Sequence, residues 1–179
     1  MALTRLGPNQ SVNLASNVTG TLPAANGGTG ATSFAPGKIL QVTSSGYIAD
    51  FSTTSTSFVD ATGFTVSITP SATSSKVLVM CNFNCHVSSS GNYFNARWER
   101  QISGGSDTEF GNGTYGQSYA RAAVDNDFFG GVSMTYLDSP STTSAITYEI
   151  FFLRASGSSN CRVQANNSES TIILMEIAG

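Results

Sequence analysis

Charge is scarce in this chain of 179 residues. Lys plus Arg is 8 and Asp plus Glu is 11, a net charge of −3. Charged residues make up 11% of the chain, where about 25% is usual for a soluble domain. With so few cations there is no basic field to hold a phosphate backbone, which excludes nucleic acid as an expected partner. The same scarcity excludes long solvated helices laced with Glu/Lys pairs. Histidine is reduced to His86, which leaves little material for imidazole catalysis. No apolar run approaches the ~20 residues of a membrane-spanning helix, so no membrane insertion is expected. The start, Met1 to Pro8, has no apolar core of the kind a signal peptide needs.

Cysteine is also sparse and odd in number, at Cys81, Cys85 and Cys161, a poor framework for disulfides. Cys81 and Cys85 share one face of a probable strand but lie roughly 13 Å apart along it, too far to bridge. A bridge from Cys161 to either remains open. Three small buried side chains in a protein made in a reducing cytoplasm is the expected reading. A zinc site of Cys81, Cys85, His86 and Cys161 is disfavoured, because neighbours on a strand face opposite sides. No metal and no cofactor is expected.

What is abundant is neutral and polar. Ser, Thr and Asn together form about a third of the chain, and Gly adds 18 more residues. Residues 1–36 hold three of the five prolines (Pro8, Pro23 and Pro36) and widely spaced apolar residues. Such a segment does not build a core alone and orders only against a partner or against copies of itself.

From about Lys38 the pattern takes a period of two. Phe64, Val66 and Ile68 alternate with polar residues until Pro70. Val77, Val79, Cys81, Phe83, Cys85 and Val87 share one face, as do Phe94, Ala96 and Trp98, then Phe128, Val132, Met134 and Tyr136, then Ile146, Tyr148, Ile150 and Phe152. Alternation over many short runs, joined by connectors rich in Gly, Ser, Asn and Asp, predicts strands with one face in a core. The expectation is an all-β protein: an antiparallel β-sandwich of jelly-roll type over residues 37–179, preceded by an extended segment over residues 1–36.

Two runs, Ile150 to Leu153 and Ile172 to Met175, have no polar side. One face packs the sandwich, and the other needs a cover that no helix supplies. A second subunit is the simplest cover. The expected subunit seam holds Phe151, Leu153, Ile172, Leu174 and Glu176.

Catalytic motifs are missing. No nucleophile elbow, phosphate loop or zinc-protease helix occurs. Glu149 and Glu176 form a formal carboxylate pair, but strand carboxylates more often meet Arg, and Arg97, Arg100 and Arg154 are at hand. Asp107 and Glu109 lie in a Gly-rich loop, expected to be solvated rather than to hold a cation. No enzyme activity is expected.

The stretch Asn17-Val18-Thr19-Gly20-Thr21-Leu22-Pro23-Ala24-Ala25-Asn26-Gly27-Gly28-Thr29-Gly30 resembles a recurring segment of bacteriophage tail-fibre and virion-appendage proteins. Residues 68–79, from Ile68-Thr69-Pro70 to Val77-Leu78-Val79, are similar to the C-terminal domain of such fibres, especially those of marine phages. So are residues 137–148, from Leu137-Asp138-Ser139-Pro140 to Tyr148, and the ending from Ser170 to Gly179. The resemblance implies a homotrimeric fibre in the virion, with a β-rich distal knob. It also implies an N-terminal part, with Leu3, Leu6, Val12 and Leu14, that attaches to another virion protein of the tail, adaptor or capsid. Fibres of this kind are often much longer, which leaves a head fibre or capsid decoration protein as the alternative and a polysaccharide-cleaving tailspike as a third. The neutral Ser/Thr/Asn surface suits contact with a host surface glycan or protein. The residues expected to make that contact are Asp107, Glu109, Phe110, Tyr115 and Tyr119, in and after the longest Gly-rich loop.

Overall fold

The structure, a computed structural model, describes residues 38–88, 93–110, 116–121, 127–157 and 159–179. All of these belong to one unit, Gly37–Gly179. Leu3, Leu6, Val12 and Leu14 lie outside the described residues, as does Tyr115.

Eleven strands occur among the described residues: β1 (Ile39–Tyr47), β2 (Phe51–Thr53), β3 (Val59–Ile68), β4 (Lys76–Val87), β5 (Tyr93–Ile102), β6 (Thr108–Glu109), β7 (Ser118–Arg121), β8 (Phe128–Asp138), β9 (Ile146–Ser156), β10 (Cys161–Val163) and β11 (Ser170–Ile177). They form two antiparallel sheets. In the first, β11 lies between β1 and β4, β8 pairs the other edge of β4, and β10 and β2 extend the sheet at the far end of β4. In the second, the order is β3-β9-β5, with β7 and β6 pairing β5. Setting aside the short β2, β6 and β10, the sheets read first-eighth-third-sixth and second-seventh-fourth-fifth. Two Greek keys folded face to face give this order, so the sandwich is a jelly roll.

The period of two explains the packing. Val77, Val79, Cys81, Phe83, Cys85 and Val87 of β4 are all buried against Phe94, Ala96 and Trp98 of β5 and Ile146, Tyr148, Ile150 and Phe152 of β9. Phe64, Phe83, Phe94 and Phe152 form a chain of rings with centroids 6.1 Å apart, within the range where aromatic pairs add to simple burial. The three cysteines are free and buried in this core. Burial pushes the thiols up, to about 12 at Cys81 and Cys161 and about 11 at Cys85, so they act as small apolar side chains.

The register of β3 against β9 shifts between Asp60 and Thr65, an irregularity of the β-bulge kind. Gly63 makes it possible at φ 84°, and a Cβ there would overlap the Tyr47 hydroxyl.

The expected seam residues of β11 fall on the wrong side. Ile172 and Leu174 are fully buried between the sheets, and Glu176 continues their row. Ile173, Met175 and Ile177 face outward instead. Both faces of this strand are apolar, so the pattern sets the alternation without saying which half enters the core. On β9, Leu153 is buried and Phe151 is half-buried.

Candidate functional site

The outer face of the second sheet gathers a cluster of charged groups. Successive residues on a strand point to opposite faces, so Arg97, Glu99 and Gln101 of β5 point away from the core that holds Trp98. Glu149 of β9 stands opposite Glu99, and Glu109 of β6 stands opposite it on the other side. Like charges placed directly opposite destabilise a sheet. Arg97 offsets this: its guanidinium lies 2.5 Å from Glu99 Oε1 and also pairs with Glu109. Arg97 in turn lies over the Phe58 ring, 4.0 Å from its centroid, a cation–π contact that helps hold the guanidinium in place.

Three of the carboxyls here, Glu99, Glu149 and Asp60, ionise with difficulty. Burial raises Glu99 most, and the hydrogen bond and charge of Arg97 only partly reverse it. Burial also raises Glu149, helped by the charges of Asp60, Asp107 and Glu99. Asp60 is raised by burial, then eased by a hydrogen bond from Thr62. The result is an acidic face of five carboxyl groups around one guanidinium, rich in hydrogen-bond acceptors.

The expected contact residues divide. Asp107 is exposed and accepts a 3.3 Å hydrogen bond from Gln101 Nε2. Glu109 belongs to the acidic face, held by Arg97. Phe110 is a correction: only 7% of it is exposed. Its backbone N–H donates to Trp98 O at 3.0 Å, which turns the ring inward onto Tyr136, 4.6 Å away between centroids. A ring closing the core offers nothing to a host surface. Tyr119 sits on β7 opposite Asn95.

Glu149 and Glu176 do not converge. They stand on different sheets, Glu149 facing out and Glu176 facing in. Ser71 donates to Glu176 Oε1 from both its backbone N–H and its hydroxyl, each at 2.7 Å, and Gln41 Nε2 donates to Oε2. Burial alone would raise this carboxyl. The hydrogen bonds outweigh it and hold the group down at about 2, with help from the nearby Ser75 hydroxyl. The second buried carboxylate, Asp138, receives Arg100 Nη1 at 2.5 Å and the Tyr148 hydroxyl at 2.7 Å. Glu176 ties β11 to β1 and to the loop at Ser71, and Asp138 ties β8 to β5 and β9. The i, i+2 spacing of Arg97 and Glu99 is the one sequence signal that would have placed them together on one strand face.

On the first sheet, a neutral cleft of about 310 Å³ lies where β10 gives way to the turn before β11. It is lined by Asn84, Cys85, Phe129, Gly130, Asn166 and Ser168. Phe129 stacks on the buried His86 with centroids 4.1 Å apart.

No protein-family model and no curated protein matches the chain. Among solved structures, it is similar to that of infectious bursal disease virus, Gx strain, at TM-score 0.38 and 12% identity, over 99% of this chain and 44% of that one. It is also similar to a mutant VP2 protein of the same virus, from derived particles, at TM-score 0.36 and 14% identity, over 77% of this chain and 36% of that one. A third is the VP2 subviral particle, at TM-score 0.30 and 16% identity, over 78% and 38%. This chain thus spans less than half the length of each. The jelly-roll assignment follows from the strand order alone.

Proposed function

We propose that this protein is a structural component of a bacteriophage virion: a short homotrimeric tail fibre whose jelly-roll knob meets the host cell surface. The observation that carries the reading is the resemblance of residues 17–30, and of the ending from Ser170 to Gly179, to tail-fibre proteins. The knob supports it in two ways. A jelly roll is a rigid scaffold that presents loops at its ends, where contact residues are usually placed. Its surface is neutral or acidic and suits hydroxyl-rich partners.

In this reading residues 1–36, with Leu3, Leu6, Val12 and Leu14, attach the fibre to another virion protein. Host contact falls to the acidic face and its loop, with Asp107 and Glu109 as acceptors, and to Tyr115 and Tyr119. Weak single contacts are multiplied when copies of one loop act together. The role is binding rather than cleavage, since the two carboxylates weighed for catalysis serve different sheets.

Immunogold labelling of intact particles tests the location. Gold on the tail, together with loss of adsorption when the purified protein competes for cells, is the expected result. Gold on the head, with no competition, replaces the fibre by a decoration protein. Release of oligosaccharide from surface polysaccharide would instead make it a depolymerase.

A further inference from the structure

The outer face of the first sheet carries uncovered apolar side chains among the described residues. Leu78 of β4 pairs with Leu137 of β8 on one side and Met175 of β11 on the other, and Met175 pairs with Val42 of β1. This makes an unbroken apolar row across four strands. Ile173 and Met80 continue it one step along the sheet. The ends of the row are open: Val42 is 56% and Leu137 48% exposed, and Phe129, farther along β8, is 56% exposed. Contiguous apolar surface of this kind marks an association site.

We infer that this face is the seam on which further copies of the same chain pack. The inference rests on the trimeric fibre reading and moves its seam from Ile172 and Leu174 to the opposite side of β11.

Three observations select a second copy as the occupant. The first is charge. The outward positions on β4 from Leu78 to Asn84, on β8 from Phe129 to Leu137 and on β11 from Thr171 to Ile177 carry no charged side chain, with Lys76 opposite Ile177 and the His86–Asp127 pair at their border. A face without charge can pack on a copy of itself in any register without like-charge repulsion, whereas a face of one charge sign cannot. The outer face of the second sheet, crowded with carboxylates, fails that condition.

The second is the edge. β1 ends the sheet with a nine-residue strand, Ile39 to Tyr47, that has neither Lys nor Pro within it. Among the described residues its protection is one register shift between Ile39 and Gln41. Edges left so bare are normally covered.

The third is size. Four strands about 4.8 Å apart and some eight residues long make a face on the order of 500 Å² before side-chain relief. With that relief and the β1 edge, it approaches the ~800 Å² per partner of a stable interface.

The test is the mass of the full chain in solution, measured by light scattering. The unaltered protein is expected at about three times 18.6 kDa. The double variant Val42→Asp with Leu137→Asp is expected at the single-chain mass with its β-sheet spectrum intact. Glu149→Gln, on the other sheet, is expected to leave the assembly unchanged.

Hydroxyl-radical labelling of the unaltered protein gives a reading that needs no variant. Leu137, Val42 and Phe129 should be protected despite their exposure in the single chain. A wild-type monomer overturns the inference, even one in which these residues are protected, because the cover is then not a second copy. So does an oligomer that survives the double variant, or one that labels fully at Leu137 and Val42. These outcomes are independent of gold labelling: an oligomer with the expected seam but absent from virions removes the fibre reading alone, and a virion protein that is monomeric removes the seam and the trimer but leaves the virion assignment standing.

Discussion

Gln41 and Glu176, 135 residues apart in sequence, meet in a hydrogen bond of 2.6 Å from the Gln41 amide to the Glu176 carboxylate. The same amide group donates to Thr69 O at 2.7 Å, so one side chain ties β1 to β11 and to the turn after β3. Glu176 is 1% exposed and would be costly as a bare charge. Its hydrogen bonds turn the cost into a stabilising tie.

The Glu176 carboxyl is held at about 2 in the folded chain, against 4.5 as its ordinary value. Between those values the unfolded chain binds a proton that the folded chain refuses. The stabilisation is therefore complete above pH 4.5 and drains away as pH falls toward 2. Glu176→Gln should cost about 2–3 kcal/mol at pH 7 and much less at pH 2, on the order expected for a hydrogen-bonded buried charge. Denaturant unfolding at both pH values measures it. Equal losses at the two would reject the account.

Asp138 accepts from Arg100 and Tyr148 at once. Burial and that hydrogen bond push the Tyr148 hydroxyl far above its usual range. Tyr148→Phe removes one donor and should cost about 1–2 kcal/mol. Asp138→Ala strands a guanidinium and a hydroxyl in the interior and should cost about 3–5 kcal/mol. Thermal melting separates the two, and the reverse order would be inconsistent with this geometry.

Phe110→Ala should lower stability by about 3–5 kcal/mol, as for other buried aromatics cut to Ala. Asp107→Asn, at an exposed site, should stay within about 0.5 kcal/mol of wild type. If Phe110→Ala melts like the unaltered protein, the ring is not part of the core.

Glu149 faces Glu99 across the β5–β9 pair, and its carboxyl is raised by burial and by neighbouring charges. A raised carboxyl is penalised in the folded chain once it ionises. That penalty is absent below its unfolded value of 4.5 and complete above its folded one. Glu149→Gln should therefore raise the melting temperature at pH 7 and leave it unchanged at pH 3.5. A gain at both pH values would point to packing rather than charge.

The alternation of apolar residues was enough to place the inward rows of β3, β4, β5, β8 and β9, because a strand with one polar face has only one way to sit on a core. It also raises the expectation that strands apolar on both faces are covered by a second subunit. It was silent on β1, whose run Ile39 to Tyr47 has exposed Ile, Leu and Val rather than an alternating face. Nor does local pattern say which of Ile172 or Ile173 points inward. That choice follows from the register of β11 against β4, set across about 90 residues of intervening chain. The Phe110 ring went inward for the same kind of reason: its place depends on Trp98 and Tyr136, not on its Gly-rich neighbours. Alternation is local, with a period of two residues. Partners across a sandwich are chosen by strand order, which only the folded chain decides.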